Sequence, residues 1–225
     1  MIVAFVYDFP HFKSTQGLFA LKRAGFDQVR VVGAPWRKLK IAESHFQFRT
    51  VDMDDAHHPH EAANALGYRY HVHDHADVRL SGEDVGIILG ARVLPDAVVH
   101  SGGPIVNLHP GVLPLNRGLD TLKWAVHNGL PQAVTIHRID RHVDRGVSLR
   151  EEIVPVYETD SYADIYNRLM WKQIALVPSA VRLAHEPGRP VGKGAYRKPM
   201  TLAEDVATAA RFAAYKVRYA ERRAA

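Results

Sequence analysis

Short apolar runs alternate with amphipathic stretches along most of the chain. IVAFVY (2–7) has the length of a strand, and STQGLFALKRAG (14–25) follows it with a serine start, Leu18, Phe19 and Leu21 on one side, and Gly25 as a stop, which predicts a helix. DQVRVVG (27–33), YRYHVHDH (68–75), DVGIILG (84–90), IVNLHP (105–110), AVTIHRI (133–139) and VSLREEIVPV (147–156) read as further strands. Apolar strands separated by helical stretches indicate an α/β domain whose largely parallel sheet is covered on both faces. The closer spacing of the later strands predicts an antiparallel addition at one edge.

Helical periodicity returns at SYADIYNRLMWKQIALV (161–177), where Ser161 and Asp164 form a capping-box pattern and Ile165, Leu169, Ile174 and Val177 share a face. Pro178 is expected to kink or end this helix. After the Pro/Gly-rich EPGRPVGKG, the segment TLAEDVATAARFAAYKVRYAERR (201–223) reads as a final helix, with Thr201 and Glu204 as its box, acids in its first turn and arginines in its last. The expected organisation is one domain over residues 1–186, with 187–225 forming a linker and a C-terminal helix packed on it. Residues 34–64 have the least regular pattern.

Composition narrows the class. With 225 residues, 47% of them hydrophobic and 24% charged, the chain suits a globular protein with one full core. The absence of cysteine removes disulfides, thiolate zinc sites and a cysteine nucleophile. No basic leader, cleavage site or run of membrane-spanning length is present, so a cytoplasmic location and no membrane contact are expected. A net charge of +5 suits a nucleic acid or a phosphorylated or nucleotide-linked small substrate equally well.

The chemistry concentrates in VNLHPGVLPLNRG (106–118). On a strand, a period of two places Asn107 and His109 on one face, and Pro110, unable to donate to a ladder, ends the strand there. The carboxyl end of a parallel strand is where open α/β sheets build their sites. An amide there can donate to an oxyanion, and an imidazole can move a proton near neutral pH. Taken alone, Asn-x-His-Pro is weak evidence, since both side chains are equally suited to capping a loop.

Downstream, VTIHRIDRHVDRG (134–146) supplies a second strand and a loop with Asp140, Asp144 and Gly146. The two segments together resemble the formyltransferase family that uses N10-formyltetrahydrofolate. The resemblance rests on Asn107, His109, Pro110, Leu113, Pro114, Arg117, Gly118, Thr135, His137, Asp144 and Gly146, in order and at matching spacing. GARVLPDAVV (90–99) is similar to the family segment whose backbone lines the pteridine pocket, so the likeness covers about residues 84–160.

That resemblance implies a Rossmann-like formyltransferase fold, mostly parallel with antiparallel edge strands and helices on both faces. It further implies transfer of a formyl group from N10-formyltetrahydrofolate, as donor co-substrate, to a primary amine. Asn107 would hold the formyl oxygen, protonated His109 would stabilise the same oxyanion and relay a proton, and Asp144 would pair with His109 and hold a water that accepts the amine proton. Backbone groups of Arg92, Val93 and Leu94 on one side, and the loop with Ile139, Asp140 and Val143 on the other, would form the pteridine pocket. Arg117 and Gly118 would begin the acceptor wall. No metal is needed for this chemistry.

Members of the family formylate glycinamide ribonucleotide, methionyl-tRNA, nucleotide-linked amino sugars, and amino-acid or siderophore amines. The first group has a glycine-rich phosphate loop after the first strand, whereas YDFPHFKSTQG (7–17) lacks those glycines. The tRNA enzymes add a C-terminal barrel where this chain has a helix, and Lys216, Arg218, Arg222 and Arg223 read as a solvated helix end, so a nucleic-acid partner is not expected. Elimination leaves an amine on a nucleotide-linked amino sugar as the favoured acceptor. The other acceptors, a formyl-folate hydrolase and a non-catalytic folate-binding module stay as alternatives.

HHPH (57–60) and HVHDH (71–75) raise a competing metal reading, because on a strand His71, His73 and His75 would share a face. No carboxylate partner is placed beside them, and no metal site is expected. The C-terminal helix and the late strands offer apolar surface that suits a homodimer.

Overall fold

The computed structural model describes residues 1–35 and 57–221. In chain order its strands are β1 (Ile2–Tyr7), β2 (Val29–Ala34), β3 (Arg69–Val72), β4 (Val85–Ile88), β5 (Ile105–His109), β6 (Arg117–Gly118), β7 (Ala133–Arg138), β8 (Val147–Ile153), β9 (Arg189–Pro190) and β10 (Tyr196–Arg197). The helices are α1 (Phe12–Arg23), α2 (Pro59–Ala65), α3 (Asp96–Val99), α4 (Thr121–Asn128), α5 (Tyr162–Leu183) and α6 (Leu202–Glu221). The main sheet runs β3-β2-β1-β4-β5-β7-β8-β9, parallel from β3 to β5 and antiparallel from β5 to β9. β6 and β10 pair separately in parallel. The chain is thus a mostly parallel α/β fold with an antiparallel edge.

Burial on both faces follows from the run of apolar residues in β1. Ile2, Ala4 and Val6 join the larger core with Leu18 and Leu21 of α1 and Ile165, Leu169, Ile174 and Val177 of α5. Val3 and Phe5 enter a second core with Val32, Leu80, Leu94 and Val98. Each such side chain taken fully out of water contributes about 1.5–3 kcal/mol, enough to set which face each strand residue occupies. Strand order reverses direction between β1 and β4, where the crevice of an open α/β sheet forms.

Several boundaries differ from the periodicity. α1 starts two residues ahead of Ser14, because His11 is its cap and its ring accepts from the Ser14 N–H; Gly25, at φ 83°, closes the helix as expected. α5 continues through Pro178 to Leu183. Proline removes one hydrogen bond, but Val177, Ala180 and Val181 around it are buried, and that packing outweighs the loss. The capping boxes at Ser161–Asp164 and Thr201–Glu204 are both formed. α6 is tied down by Tyr215, whose hydroxyl donates to the Leu130 carbonyl at 2.9 Å, and Arg222 and Arg223 lie outside the described residues.

The histidine-rich segments take structural positions. β3 ends at Val72, so His75 does not continue a strand face with His71 and His73. It sits in a turn of 3-10 helix with its ring 2.9 Å from the Val32 carbonyl and edge-on to Phe5. His58 caps α2 by accepting from the His60 N–H. Among the described residues no helix is long and apolar enough to cross a membrane.

Candidate active site

A cavity of about 910 Å³ opens at the carboxyl ends of β1, β4 and β5. Its floor is the end of β5, where Asn107, Leu108, His109 and Pro110 face it. The antiparallel register places Asn107 opposite His137 and His109 opposite Thr135, so the Asn-x-His of one strand and the Thr-x-His of the next share one face. This juxtaposition gives the site its rigidity.

Asn107 and His137 determine each other's chemistry. His137 is wholly buried, and burial first, then the charge of neighbouring His109, lowers its pKa to about 4, so it is neutral near pH 7. Its Nδ1 lies 2.9 Å from the Arg145 carbonyl, which can only accept, so Nδ1 holds the single proton. Nε2 is therefore an acceptor, and the group 3.3 Å away must be the Asn107 Nδ2 donor. That assignment fixes the amide rotamer and directs the second Asn107 N–H away from His137.

His109 is held at both nitrogens. Nε2 lies 2.7 Å from the Asn116 carbonyl and Nδ1 3.3 Å from Asp144 Oδ1, with only 3% of the residue exposed. Two acceptors around one ring fit the imidazolium form, in which both nitrogens donate. Asp144 sits at φ 50° and accepts from the Gly118 N–H at 2.7 Å. Burial pushes its carboxyl up, but the hydrogen bond and charge of His109, together with Gly118, outweigh that and hold it below the usual carboxylate range. Gly118 has φ 99°, and a Cβ there would collide with the Arg197 carbonyl, so only glycine delivers this N–H.

Two walls rise from this floor. Ile88 to Leu94 face the loop from Ile139 to Asp144 across the cavity, which places Arg92, Val93, Leu94, Ile139, Asp140 and Val143 together on its lining. The Tyr7 hydroxyl anchors the first segment by donating to the Ala91 carbonyl at 3.0 Å. Asp140 accepts from the His142 N–H at 2.7 Å, and the Ile139 N–H donates to Ile105, tying the second loop to the sheet. The opposite wall comes from α1 and α5, through His11, Lys13, Tyr166, Leu169, Met170 and Gln173.

Gly118 lies on the cavity lining, whereas Arg117 does not. Its side chain is buried behind the wall, donating to the Gly194 carbonyl at 2.7 Å and the Val143 carbonyl at 2.6 Å. A strand's alternation explains the correction: adjacent residues of β6 point to opposite sides, and with Gly118 toward the cavity Arg117 turns inward to brace the loop. Sequence reasoning also gave no role to His137, although the Thr-x-His motif held it, and none to Asn116 or to the α1–α5 wall. Cross-strand register and helix packing bring those residues in, and neither is local in sequence.

The arrangement offers one immobilised amide donor, one buried imidazole held at both nitrogens and one half-buried carboxylate beside a partly apolar cavity, a set suited to stabilising an oxyanion on a carbonyl carbon. Residues 73–181 match the profile of the family described as formyl transferase. The chain is 31% identical over 108 residues to phosphoribosylglycinamide formyltransferase of Escherichia coli K12, covering 47% of this chain and 51% of that protein. It is 34% identical over 97 residues to methionyl-tRNA formyltransferase of Azobacteroides pseudotrichonymphae, covering 42% of this chain and 30% of that one. The chain thus spans about half or less of the length of these curated relatives. Among solved structures, an N-formyltransferase from Helicobacter canadensis, in complex with folinic acid and dTDP-3-aminofucose, superposes with a TM-score of 0.66 at 15% identity, over 94% of this chain and 80% of that one. Asn107, His109, His137 and Asp144 all lie inside the matched segment, which makes up just under half of the chain.

Proposed function

We propose that this protein transfers a formyl group from N10-formyltetrahydrofolate to a primary amine. The observation that carries the reading is the locked pair of Asn107 with His137 beside the His109–Asp144 ion pair, at the floor of a cavity large enough for two small substrates. The donor fits the wall formed by Ile88 to Leu94 and the 139–144 loop. There Arg92, Val93 and Leu94 with Ile139, Asp140 and Val143 would hold the pteridine through backbone groups.

In the reaction the acceptor nitrogen attacks the formyl carbon, giving a tetrahedral oxyanion still bonded to N10. The free N–H of Asn107 meets that oxygen, and the contact strengthens as charge develops. The His109 imidazolium supports the same charge electrostatically. Its two N–H groups are committed to Asn116 and Asp144, so direct proton delivery to substrate requires the Asn116 bond to open first. Asp144 holds the ring in place. The amine proton leaves through solvent at the cavity, N10 takes up a proton, and the C–N10 bond breaks to release tetrahydrofolate and the formamide.

The favoured acceptor is the amine of a nucleotide-linked amino sugar. Three features support it. His11 caps α1 and takes the Ser14 N–H, so the helix end that would cradle a ribonucleotide phosphate is closed. The net charge of +5 attracts an anionic substrate. The Helicobacter structure contains such a compound. The test is tetrahydrofolate release from N10-formyltetrahydrofolate with a panel of amines. Release with a nucleotide-linked amino sugar supports the assignment; release only with glycinamide ribonucleotide replaces that acceptor, and formate production without any amine makes the protein a hydrolase.

A further inference from the structure

Lys13 occupies the α1 wall of the cavity, before the family-matched segment begins. Its Nζ donates to Gln173 Oε1 at 2.9 Å and approaches the Leu108 carbonyl at 3.4 Å, so the ammonium stands against the residue between Asn107 and His109. Both partners are neutral. Neither of its hydrogen-bond partners among the described residues is a carboxylate, and His11, the cap of its own helix, is pushed down by burial to a pKa of about 4. Burial likewise pushes the Lys13 ammonium down to about 8. Lys13 is half-buried on the cavity lining, and a cation partly withdrawn from water without a counter-ion is a group whose missing charge a ligand can supply.

The rest of this wall states what the ligand is not. Tyr166, Leu169 and Met170 are largely apolar, and the α1 terminus is closed by His11, so no ring of backbone amides surrounds Lys13. One ammonium beside apolar side chains suits a single anionic oxygen on a small amine.

We propose that Lys13 binds an anionic group, a carboxylate or a phosphate, carried by the acceptor amine, and so selects acceptors that bear one. This rests on the reading that the α1–α5 half of the cavity holds the acceptor. Charge-assisted contact at one ammonium changes binding by about 10- to 100-fold, and it acts on KM because the anion is remote from the reacting carbon.

The test pairs substrates with a variant. Lys13→Met keeps the length of the side chain and removes its charge. Tetrahydrofolate release is followed with an amino acid and its amide, and with a nucleotide-linked amino sugar and the free amino sugar. The expected result is that the wild-type protein prefers the charged member of one pair, and that Lys13→Met raises the KM of that member alone by about 10- to 100-fold with kcat little changed. The pair that responds identifies carboxylate or phosphate. Equal effects on both members, or no wild-type preference in either pair, overturn the proposal. If no amine supports release, the formyl-transfer reading fails, and the Lys13 assignment is then decided by stability. Acetate or inorganic phosphate should raise the melting temperature of the wild-type protein above chloride at equal ionic strength, and not that of Lys13→Met; no rise in the wild type refutes it.

Discussion

Replacing His137 by leucine tests the central geometric claim. The substitution keeps the volume of a wholly buried side chain and deletes both ring nitrogens. The Asn107 amide loses its acceptor at 3.3 Å and the Arg145 carbonyl loses its donor at 2.9 Å. The second loss leaves a buried acceptor unsatisfied and costs about 1–3 kcal/mol of stability. The first frees the amide to rotate, and because an anchoring hydrogen bond is worth about 0.5–1.5 kcal/mol net, the oriented population falls by up to about tenfold. The ceiling is the complete loss of an oxyanion donor, about 100- to 1,000-fold in rate. His137→Leu should therefore lower kcat by about 2- to 10-fold with KM within about twofold, measured by tetrahydrofolate release. In an Asn107→Ala background the same substitution should cost nothing more, because the group it orients is gone. A His137→Leu effect of equal size with and without Asn107 would refute the claim that His137 acts through that amide.

Removing the donor itself by Asn107→Ala, or the carboxylate charge by Asp144→Asn, should each lower turnover by about 100- to 1,000-fold while circular dichroism shows the fold retained. Stability should fall on acidification through His137, whose folded pKa of about 4 lies below the usual 6.5. Above pH 6.5 the ring is neutral in both states, whereas between 6.5 and 4 only the unfolded chain takes up the proton, so about 3 kcal/mol is lost across that window and no more below it. Denaturant titrations from pH 7 to 4 should show this slope, reduced in His137→Leu; an unchanged slope would count against a neutral buried ring. Gly118→Ala forces a side chain into the Arg197 carbonyl at φ 99° and pulls the N–H from Asp144, so it should destabilise by more than about 2 kcal/mol and abolish turnover; a folded, active variant would show that this N–H is dispensable.

Much of the sheet was legible because its signals are local. Six predicted strands, from IVAFVY to VSLREEIVPV, appear within a few residues of their expected ends, and both capping boxes formed, since a strand's apolar run and a helix's cap are decided by neighbouring residues. The strand read at 68–75 was too long, because His75 is drawn into the core by the Val32 carbonyl on another strand. Pro178 did not end its helix for a related reason: a local helix breaker is outweighed by burial against distant elements. The start of α1 at Phe12, capped by His11, was missed because histidine is an unusual cap.

The candidate site divides along the same line. The sequence by itself determined the strand that ends in Asn107, His109 and Pro110, the second strand with its Asp144 loop, and the resemblance that joined them, because order and spacing along the chain are enough for each. Only the tertiary structure decided that His137 fixes the Asn107 amide, that Arg117 braces a loop from behind the wall instead of facing substrate, and that Lys13 stands 3.4 Å from the Leu108 carbonyl, 95 residues away in the chain. Those relations depend on strand register and on which side of a wall a side chain turns, and both are settled when remote apolar faces bury one another.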